Sequence, residues 1–386
     1  MPGFELIGKE EQEEINDIFD NGGGILFRHS FDNLRNNSYK VKQFEENFKK
    51  EIGSDYALAV SSGTAALRVA LSVLDLKKDD EVITQSFTFV ATVEAIIESG
   101  AKPICAEIDT TLNLNPIDLL KKINSKTKAV IAVHMLGTPA NLIEIKKICD
   151  DNNIALIEDT AWGCGGSINK KYLGTWGRMG AFSFDFAKTI TTGEGGMVTF
   201  KNKKDFIKAS AWHDHGHENN PNFPRWEDTR SGSGFNFRMS ELQGAVGIAQ
   251  LKKLKYIVNM QNKNKDKIWN LISPINHITL RSKPENSFET ADALIFLAKD
   301  AAMALDCRNE LLKFKISTKI LPEAMSWHFA KQWEHIPEIH NIKGKNNYSE
   351  SEEILSRCVS IPIFVNMPSD MPAKIKNAIE SVAIKI

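Results

Sequence analysis

The sequence lacks the features that mark several classes of protein. Its 386 residues include five cysteines without a C-x-x-C pair, which argues against a disulfide framework and a structural zinc site. No apolar run approaches the roughly 18 residues of a membrane-spanning helix, and the first residues lack the basic and apolar regions of a signal peptide. The formal net charge is −1, so no overall field attracts nucleic acid or an anionic membrane. These absences predict a cytoplasmic protein that binds neither nucleic acid nor membrane.

The composition is that of an ordinary globular chain, with 42% hydrophobic and 25% charged residues. Short apolar segments alternate with helical stretches, which is typical of a mostly parallel sheet with crossover helices. We predict an α/β fold with a large domain over residues 1–250 and a smaller α+β domain over residues 251–386. The predicted strands are 56–60, 81–84, 103–106, 129–134, 154–157 and 180–184, then 293–297 and 316–320 before a final helix from Met371.

One lysine is the centre of the functional argument. An alternating aromatic run from Phe182 to Phe186 predicts a strand that leads to Lys188 and then to a turn rich in threonine and glycine. A lysine at a strand end, beside glycines that allow close approach of a ligand, suits a covalent link to an aldehyde cofactor. An isolated lysine is more often a solvated surface residue, so the assignment depends on partners elsewhere in the chain.

The first partner is acidic. The apolar run 154–157 ends in Glu158 and Asp159, which places a carboxylate at the carboxyl end of a predicted strand. Such an aspartate can keep the pyridine nitrogen of pyridoxal phosphate protonated, so that the ring accepts electrons from a substrate. Asp159 is the candidate, although a helix cap or turn explains an aspartate there equally simply.

The second partner binds phosphate, and the third is an aromatic ring. Strand 56–60, a turn ending in Gly63 and Thr64, and a helix from Ala65 form an anion site at a helix start, to which Ser183 can add a hydroxyl. A plain serine or threonine cap accounts for the same residues. Phe89 follows another strand and can stack on the cofactor ring, with a core phenylalanine as the alternative.

Six motifs together resemble the sugar aminotransferases of the DegT/DnrJ/EryC1/StrS type. The resemblance covers nearly the whole chain and implies a fold-type I pyridoxal phosphate enzyme that works as a homodimer. It implies that Lys188 holds the cofactor, that Asp159 pairs with the ring nitrogen, and that Asn236 reaches the neighbouring subunit's phosphate. It also places the phosphate on Gly63, Thr64 and Ser183 and Phe89 over the ring. The motifs are Ser62–Leu67, Phe87–Ala91, Ile157–Ala161, Phe182–Lys188, Gly193–Gly196 and Phe235–Met239.

Two positions refine this resemblance. Many relatives carry glutamine or histidine three residues after the aspartate, whereas this chain has Trp162, whose indole N–H can donate to the cofactor's phenolic oxygen. A branch of the family replaces the lysine with histidine and dehydrates sugars instead, and Lys188 argues against that branch. The lysine both holds the cofactor and moves a proton, and histidine can do only the second.

Histidines and arginines outside these motifs are candidate substrate contacts. The run His213-Asp-His-Gly-His217 looks like a metal site, but no further clustered ligands accompany it. We expect no metal and instead a loop over the active site, with His215 and His217 touching substrate. A basic loop near residue 28 is a candidate gate, with a solvated charged face as the alternative. The residues expected to anchor substrate carboxylates are Arg28, Arg35, Arg238 and His328.

The substrate follows from a narrower resemblance. Five segments carry it: Met1–Leu6, Phe27–Arg35, Ser183–Thr191, Asp214–His217 and Trp327–Ile336. Together they look like the branch that aminates C8 of 3-deoxy-manno-octulosonate. That resemblance implies transfer of an amino group from L-glutamate to the C8 aldehyde of an oxidised eight-carbon sugar acid, for lipopolysaccharide. The alternative is a nucleotide-linked 3- or 4-keto-6-deoxysugar. A class I aldolase would need eight strand–helix repeats, and a non-catalytic relative would be expected to lose Lys188 or Asp159.

Overall fold

A computed structural model describes residues 2–220, 222–340 and 347–384. Most strands of this described part belong to a central sheet or to a smaller one. The strands are β1 (Tyr56–Val60), β2 (Glu81–Gln85), β3 (Lys102–Ala106), β4 (Thr127–Val133), β5 (Ala155–Asp159), β6 (Ser167–Ile168), β7 (Lys171–Tyr172), β8 (Met179–Ser183), β9 (Gly196–Phe200), β10 (Ile278–Leu280), β11 (Ser287–Phe288), β12 (Ala293–Ala298) and β13 (Cys358–Pro362).

The central sheet has the strand order β1-β9-β8-β5-β4-β2-β3. All neighbouring pairs are parallel except the two made by β9, which runs antiparallel between β1 and β8. The predicted α/β fold with a mostly parallel sheet is therefore confirmed. Parallel strands end at the same edge of a sheet, and this edge is where ligands bind in such folds.

Helices cover both faces of the central sheet, and α9 and α12 pack on the smaller sheet. The helices of the described residues are α1 (Lys9–Asp20), α2 (Lys40–Ile52), α3 (Gly63–Ser72), α4 (Ala91–Glu98), α5 (Pro116–Lys122), α6 (Leu142–Asp151), α7 (Lys203–Trp212), α8 (Glu241–Ile272), α9 (Ala301–Lys313), α10 (Pro337–His340), α11 (Ser349–Ser356) and α12 (Met371–Ala383). Within the described residues, none of the helices combines the length and apolar character needed to cross a membrane.

Strand β1 illustrates why these segments read as continuous apolar runs. Leu58 and Val60 pack with α3 on one face of the sheet, while Ala57 and Ala59 pack with α2 and α8 on the other. A strand buried on both faces needs apolar residues at every position, not at alternate ones. The short side chains of the two alanines allow the helices to approach the strand closely.

A second sheet forms the core of the C-terminal part. Its strand order is β10-β12-β13, and both pairs are antiparallel. The long helix α8 packs on the central sheet with its first half and on this smaller sheet with Ile268 and Ile272. The predicted division near residue 250 therefore lies inside a continuous helix. The outermost residues of the two predicted domains, Met1 and 385–386, lie outside the described residues.

Two strand predictions need correction. Strand β8 ends at Ser183, not at Phe186, because Asp185 forms a turn in which its Oδ1 accepts the Ala187 N–H at 3.0 Å. Residues 316–320 are not a strand. Lys315 and Ile320 flank this stretch with φ angles of 59° and 73°, and the left-handed conformation interrupts extended backbone.

Candidate active site

A cavity of about 330 Å³ lies where the parallel strands of the central sheet end. It collects nearly all of the residues predicted to hold a cofactor, although they come from distant parts of the chain. Asn236 is the one predicted cofactor contact that lies outside this chain's own cavity. The predicted residues that line the cavity are Gly63, Thr64, Phe89, Asp159, Trp162, Ser183, Lys188 and His328.

The start of α3 forms an anion cradle. Ser62 caps the helix, since its Oγ accepts the Ala65 N–H at 3.0 Å. The first N–H groups of a helix have no partner within the helix, and the helix dipole is positive at this end. A Cβ atom at Gly63 would lie 2.7 Å from the Ser183 Cβ, so only glycine allows α3 to start against the end of β8. The cradle therefore offers the N–H groups of Gly63 and Thr64 beside the Ser183 hydroxyl.

Lys188 points its amine at an aromatic face. Its Nζ lies 3.4 Å from the centre of the Trp162 ring. Burial lowers the pKa of Lys188 to about 8. An amine that loses its proton near neutral pH can act as a nucleophile and as a base. The structure thus adds a contact through the face of the indole to the predicted role of its N–H group.

Asp159 is the last residue of β5 and is only 5% exposed. The Thr92 hydroxyl donates to its Oδ2 at 2.9 Å, and the Ala161 N–H donates to its Oδ1 at 3.1 Å. Burial raises the pKa of Asp159, and no cationic side chain among the described residues forms a salt bridge with it. A buried carboxylate that lacks a cationic partner is suited to pair with a protonated ligand nitrogen.

Thr92 lines the cavity and Glu158 lies beside Asp159 on the opposite face of the sheet, and neither was predicted from the sequence as a site residue. Glu158 precedes Asp159 on β5, so its side chain points to the opposite face of the sheet. It accepts the N–H groups of Gly174, Trp176 and Gly177 at 2.6–2.7 Å, and it lies 3.2 Å from His134. The acidic pair Glu158-Asp159 at a strand end is the sequence signal that could have indicated one carboxylate on each face of the sheet.

Phe89 and His328 form the outer wall of the cavity. Phe89 is 43% exposed, and its ring lies 5.5 Å from that of His328. His328 Nδ1 lies 2.8 Å from the Ala324 carbonyl, which can only accept, so Nδ1 carries the proton and Nε2 is left as an acceptor. Burial lowers the pKa of His328, which favours this neutral form. His328 is the predicted substrate contact that the structure brings to the cavity.

Arg35 was predicted to anchor substrate, and the structure contradicts this. It is fully buried, and its guanidinium donates to the carbonyls of Ile25, Phe27 and Arg28. Its guanidinium carbon also lies 4.1 Å from the centre of the Tyr39 ring. These hydrogen bonds stabilise the N-terminal loop that carries Arg35. Because the side chain is buried, it is not accessible to a substrate.

Arg28 and Arg238 are likewise engaged within the protein. Arg28 donates to Glu45 at 2.6 Å and to the Ala59 carbonyl at 3.1 Å. Arg238 forms an ion pair with Asp214. Both arginines were predicted to anchor substrate carboxylates, but neither lines the cavity of its own chain.

Asp214 is the centre of the histidine-rich run. His29, Arg225 and Arg238 all pair with its carboxylate, at 3.1 Å for His29 and 2.6 Å for Arg225, and we call these four residues the Asp214 cluster. Burial alone would raise the pKa of Asp214, but the hydrogen bonds from His29 and Arg225 outweigh it and hold that pKa well below its ordinary value.

The predicted loop histidines also lie outside the cavity. His217 pairs with Asp228 at 3.2 Å, and His215 is exposed. In the described part of the chain, no three His, Cys, Asp or Glu side chains gather as metal ligands. His215 and His217 were predicted to contact substrate, but neither lines the cavity of its own chain.

The groups that do line the cavity fit pyridoxal phosphate. Gly63 and Ser183 both line the cavity, and a phosphate suits the N–H groups at the start of α3. The lone buried carboxylate of Asp159 suits a protonated ring nitrogen, and the Lys188 amine suits an aldehyde. These three features come from three different strand ends.

Comparisons with known proteins identify the family of this chain. The DegT/DnrJ/EryC1/StrS aminotransferase family matches residues 27–380. A GDP-perosamine synthase of Vibrio cholerae is 30% identical over 379 residues, which are 96% of this chain and 95% of that protein. The structure of an aminotransferase from Psychrobacter cryohalolentis superposes with a TM-score of 0.87 at 23% identity, over 98% of both chains.

A further solved structure contains a cofactor. A Bacillus subtilis protein, determined with bound cofactor PMP, superposes with a TM-score of 0.85 at 21% identity, over 99% of this chain and 84% of that one. These likenesses confirm the predicted fold-type I architecture. The chain belongs to the DegT/DnrJ/EryC1/StrS aminotransferase family and is a pyridoxal phosphate-dependent sugar aminotransferase.

Proposed function

We propose that this protein transfers the amino group of L-glutamate to the C8 aldehyde of oxidised 3-deoxy-manno-octulosonate. The observation that carries amino transfer is the Lys188 amine beside the buried carboxylate of Asp159 in one cavity. The sugar acid is supported by the sequence segments that resemble this branch of the family. Two of those segments, Ser183–Thr191 and Trp327–Phe329, contribute residues to the cavity wall.

The roles of the individual residues are part of the same proposal. Pyridoxal phosphate, when bound, supplies an electron-accepting ring and carries the amino group between the two substrates. Gly63, Thr64 and Ser183 would bind its phosphate, and Asp159 would accept a hydrogen bond from its ring nitrogen. Phe89 would cover one face of the ring.

Lys188 would have two functions in turn. It would hold the cofactor between turnovers and, when free, move a proton from the carbon that carries the amino group. A lysine with a pKa of about 8 is suited to this, because both its charged and uncharged forms are populated near neutral pH. The Nε2 lone pair of His328 is an acceptor for a substrate hydroxyl.

We also propose a homodimer with shared active sites. Asn236 is exposed and lies outside the cavity of its own chain, as expected for a residue that serves the neighbouring subunit. Phe235, which is 54% exposed, lines a surface depression together with Thr64 beside the anion cradle. An apolar residue at this place is suited to contact a second copy of the chain.

Complementation between inactive variants tests shared sites. In a mixed dimer of Lys188→Ala and Asn236→Ala chains, one of the two sites would contain both wild-type residues. Co-expression should therefore restore activity that neither variant has alone. Activity that stays absent in verified mixed dimers would contradict shared sites, and a monomer in sedimentation would contradict the dimer.

The alternative substrate is a nucleotide-linked 3- or 4-keto-6-deoxysugar. The GDP-perosamine synthase of Vibrio cholerae supports it, because its name indicates a GDP-linked sugar. The two substrates can be compared by incubating the protein with glutamate and either sugar, and measuring 2-oxoglutarate and the aminated sugar by mass spectrometry. Turnover of the octulosonate aldehyde is expected. Turnover of the nucleotide sugar alone would overturn the proposal, along with its cytoplasmic role in lipopolysaccharide synthesis.

A further inference from the structure

A second lysine lies near the ring that contacts Lys188. The Nζ of Lys319 is 4.9 Å from the centre of the Trp162 ring, and the Nζ of Lys188 is 3.4 Å from the same point. The two amines are therefore at most 8.3 Å apart, the sum of these distances. Lys319 was not predicted from the sequence, and the proposed mechanism does not yet use it.

Lys319 is held in place by a buried carboxylate. Its Nζ lies 2.5 Å from Oδ2 of Asp292, which is 2% exposed. The other carboxylate oxygen, Oδ1, is buried without a hydrogen-bond partner among the described residues. The Lys319 N–H donates to the Ser360 carbonyl at 2.8 Å, and the Ile363 N–H donates to the Asp292 carbonyl at 3.2 Å. Backbone contacts to β13 and to the residue that follows it thus support both members of the pair.

The segment that carries Asp292 also holds Trp162. Two residues earlier, the Thr290 hydroxyl donates to the Trp162 carbonyl at 3.0 Å, and the Thr290 N–H donates to the Gly137 carbonyl at 3.0 Å. The C-terminal part of the chain therefore contacts both the backbone and the ring of Trp162. These contacts restrict the position of the indole relative to Lys188.

We propose that Asp292 and Lys319 are a positioning pair for Lys188. The pair fixes the Trp162 ring beside the Lys188 amine and balances the charge around that amine. This inference rests on the proposed role of Lys188 as the residue that holds the cofactor and moves the proton. The carboxylate and the ammonium group form one neutral unit, so that the amine faces neither charge alone.

The charges around Lys188 support this balance. Burial is the main cause that lowers the pKa of Lys188; Asp292 acts to raise it and Lys319 acts to lower it. Neutralising Asp292 would leave the charge of Lys319 uncompensated within 8.3 Å of the Lys188 amine. Neutralising Lys319 would leave the charge of Asp292 uncompensated instead. The other charged or titratable groups among the described residues that line the cavity with the amine are Asp159, Asp185, Glu194 and His328.

Neutral substitutions at the two positions test the proposal. The visible absorbance of the full-length protein loaded with pyridoxal phosphate is titrated to find the protonation midpoint of the nitrogen that joins Lys188 to the cofactor. Asp292→Asn should lower this midpoint, and Lys319→Gln should raise it. A shift on the order of one pH unit is expected for an unbalanced charge at this distance and an effective dielectric constant of about 20.

The double variant Asp292→Asn/Lys319→Gln should return the midpoint towards the wild-type value, because the site is neutral again. A purely structural role would not produce opposite shifts that cancel. Glu352→Gln, which removes one partner of the exposed Lys331–Glu352 pair, is the matched control and should leave the midpoint unchanged. Shifts in the same direction, or no shift in either single variant, would overturn the proposal.

A second readout avoids the bound cofactor. After its removal, the rate of reductive methylation of Lys188 by formaldehyde with cyanoborohydride as the hydride donor is followed against pH by peptide mass spectrometry, and the same pattern of opposite shifts is expected. If Lys188→Ala retained the cofactor's absorption band, the proposed role of Lys188 would fail instead. Failure of the substrate comparison would leave the result for the pair intact, so the two proposals can be judged separately.

Discussion

Two buried carboxylates in this protein have opposite surroundings. Asp159 accepts hydrogen bonds from one hydroxyl and one backbone N–H and has no salt bridge among the described residues, and burial raises its pKa. Asp214 pairs with His29, Arg225 and Arg238, and its pKa lies well below the ordinary value. A carboxylate whose charge is left unmatched is suited to a ligand, whereas one whose partners are all present stabilises the fold.

The largest effect is expected for substitution of Lys188, which lines the same cavity as Asp159. Lys188→Ala should lower transamination by at least about 10³-fold and abolish the absorption of the lysine-linked cofactor, because it removes the amine that would form the covalent link and move the proton. Steady-state kinetics and visible spectra measure both. Lys171→Ala is a matched control, since its Nζ lies 4.8 Å from the centre of the Trp176 ring but outside the cavity. Full activity in Lys188→Ala would contradict the assignment.

Asp159→Asn sharpens the comparison on the side of function. Removing the charge should lower the turnover number by roughly 10²-fold, because the ring nitrogen of the cofactor would lose its anionic partner. The amide keeps the shape of the side chain, so the thermal unfolding temperature of the cofactor-free protein should not fall. A variant that loses stability but keeps its turnover would reverse our assignment of Asp159.

Asp214→Asn tests the side of stability. It should lower the free energy of unfolding by about 3 kcal/mol, because Arg225 and Arg238 would be left without their anion in a mostly buried position. Denaturant unfolding measures this. Asp79→Asn, in an exposed pair with Lys102, should leave the free energy of unfolding nearly unchanged, because solvent screens that pair. Equal effects of the two substitutions would contradict the distinction between the buried Asp214 cluster and the exposed Asp79–Lys102 pair.

The smallest effect concerns pH. The pKa of Asp159 is raised on folding, so its ionisation opposes folding; this cost is absent below the unfolded pKa of about 4 and develops as pH rises through the folded pKa. In the cofactor-free protein, Asp159→Asn should therefore gain stability relative to wild type as pH rises from about 4 to 7. Unfolding free energies measured across this range provide the test.

Asp214 should behave differently over the same range. Its pKa is lowered on folding, so its stabilising contribution is complete above about pH 5, where the group is ionised in both states. The deficit of Asp214→Asn should accordingly stay constant between about pH 5 and 7. A deficit that changed in step with the gain of Asp159→Asn would show that the two carboxylates are not electrostatically distinct.

Local pattern accounts for what could be predicted. The apolar runs that became β1, β5 and β8 are buried on both faces, and each is followed by a functional residue, so their order in the sequence was informative. The predicted strand at 316–320 failed because left-handed residues flank it, and such backbone conformations leave little trace in composition. The predicted domain division near residue 250 lies within α8, which continues across it without interruption.

The predicted arginines were less informative. Charge suggested that Arg28, Arg35 and Arg238 bind substrate carboxylates, but each is engaged by a carboxylate or by backbone carbonyls of the same chain. A guanidinium group can satisfy an internal acceptor as well as a ligand, and sequence alone does not distinguish them. His328 was predicted by the same argument and does line the cavity.

The sequence by itself determined the fold class and the family, and it singled out Lys188 and Asp159 as candidates, because these inferences depend on short segments with characteristic order. Only the tertiary structure decided which charges are already paired, that Trp162 presents the face of its ring to the lysine, and that Asp292 and Lys319 approach from the C-terminal part. The physical reason is that pairing and burial depend on distances between residues far apart in the chain. No local pattern encodes these distances.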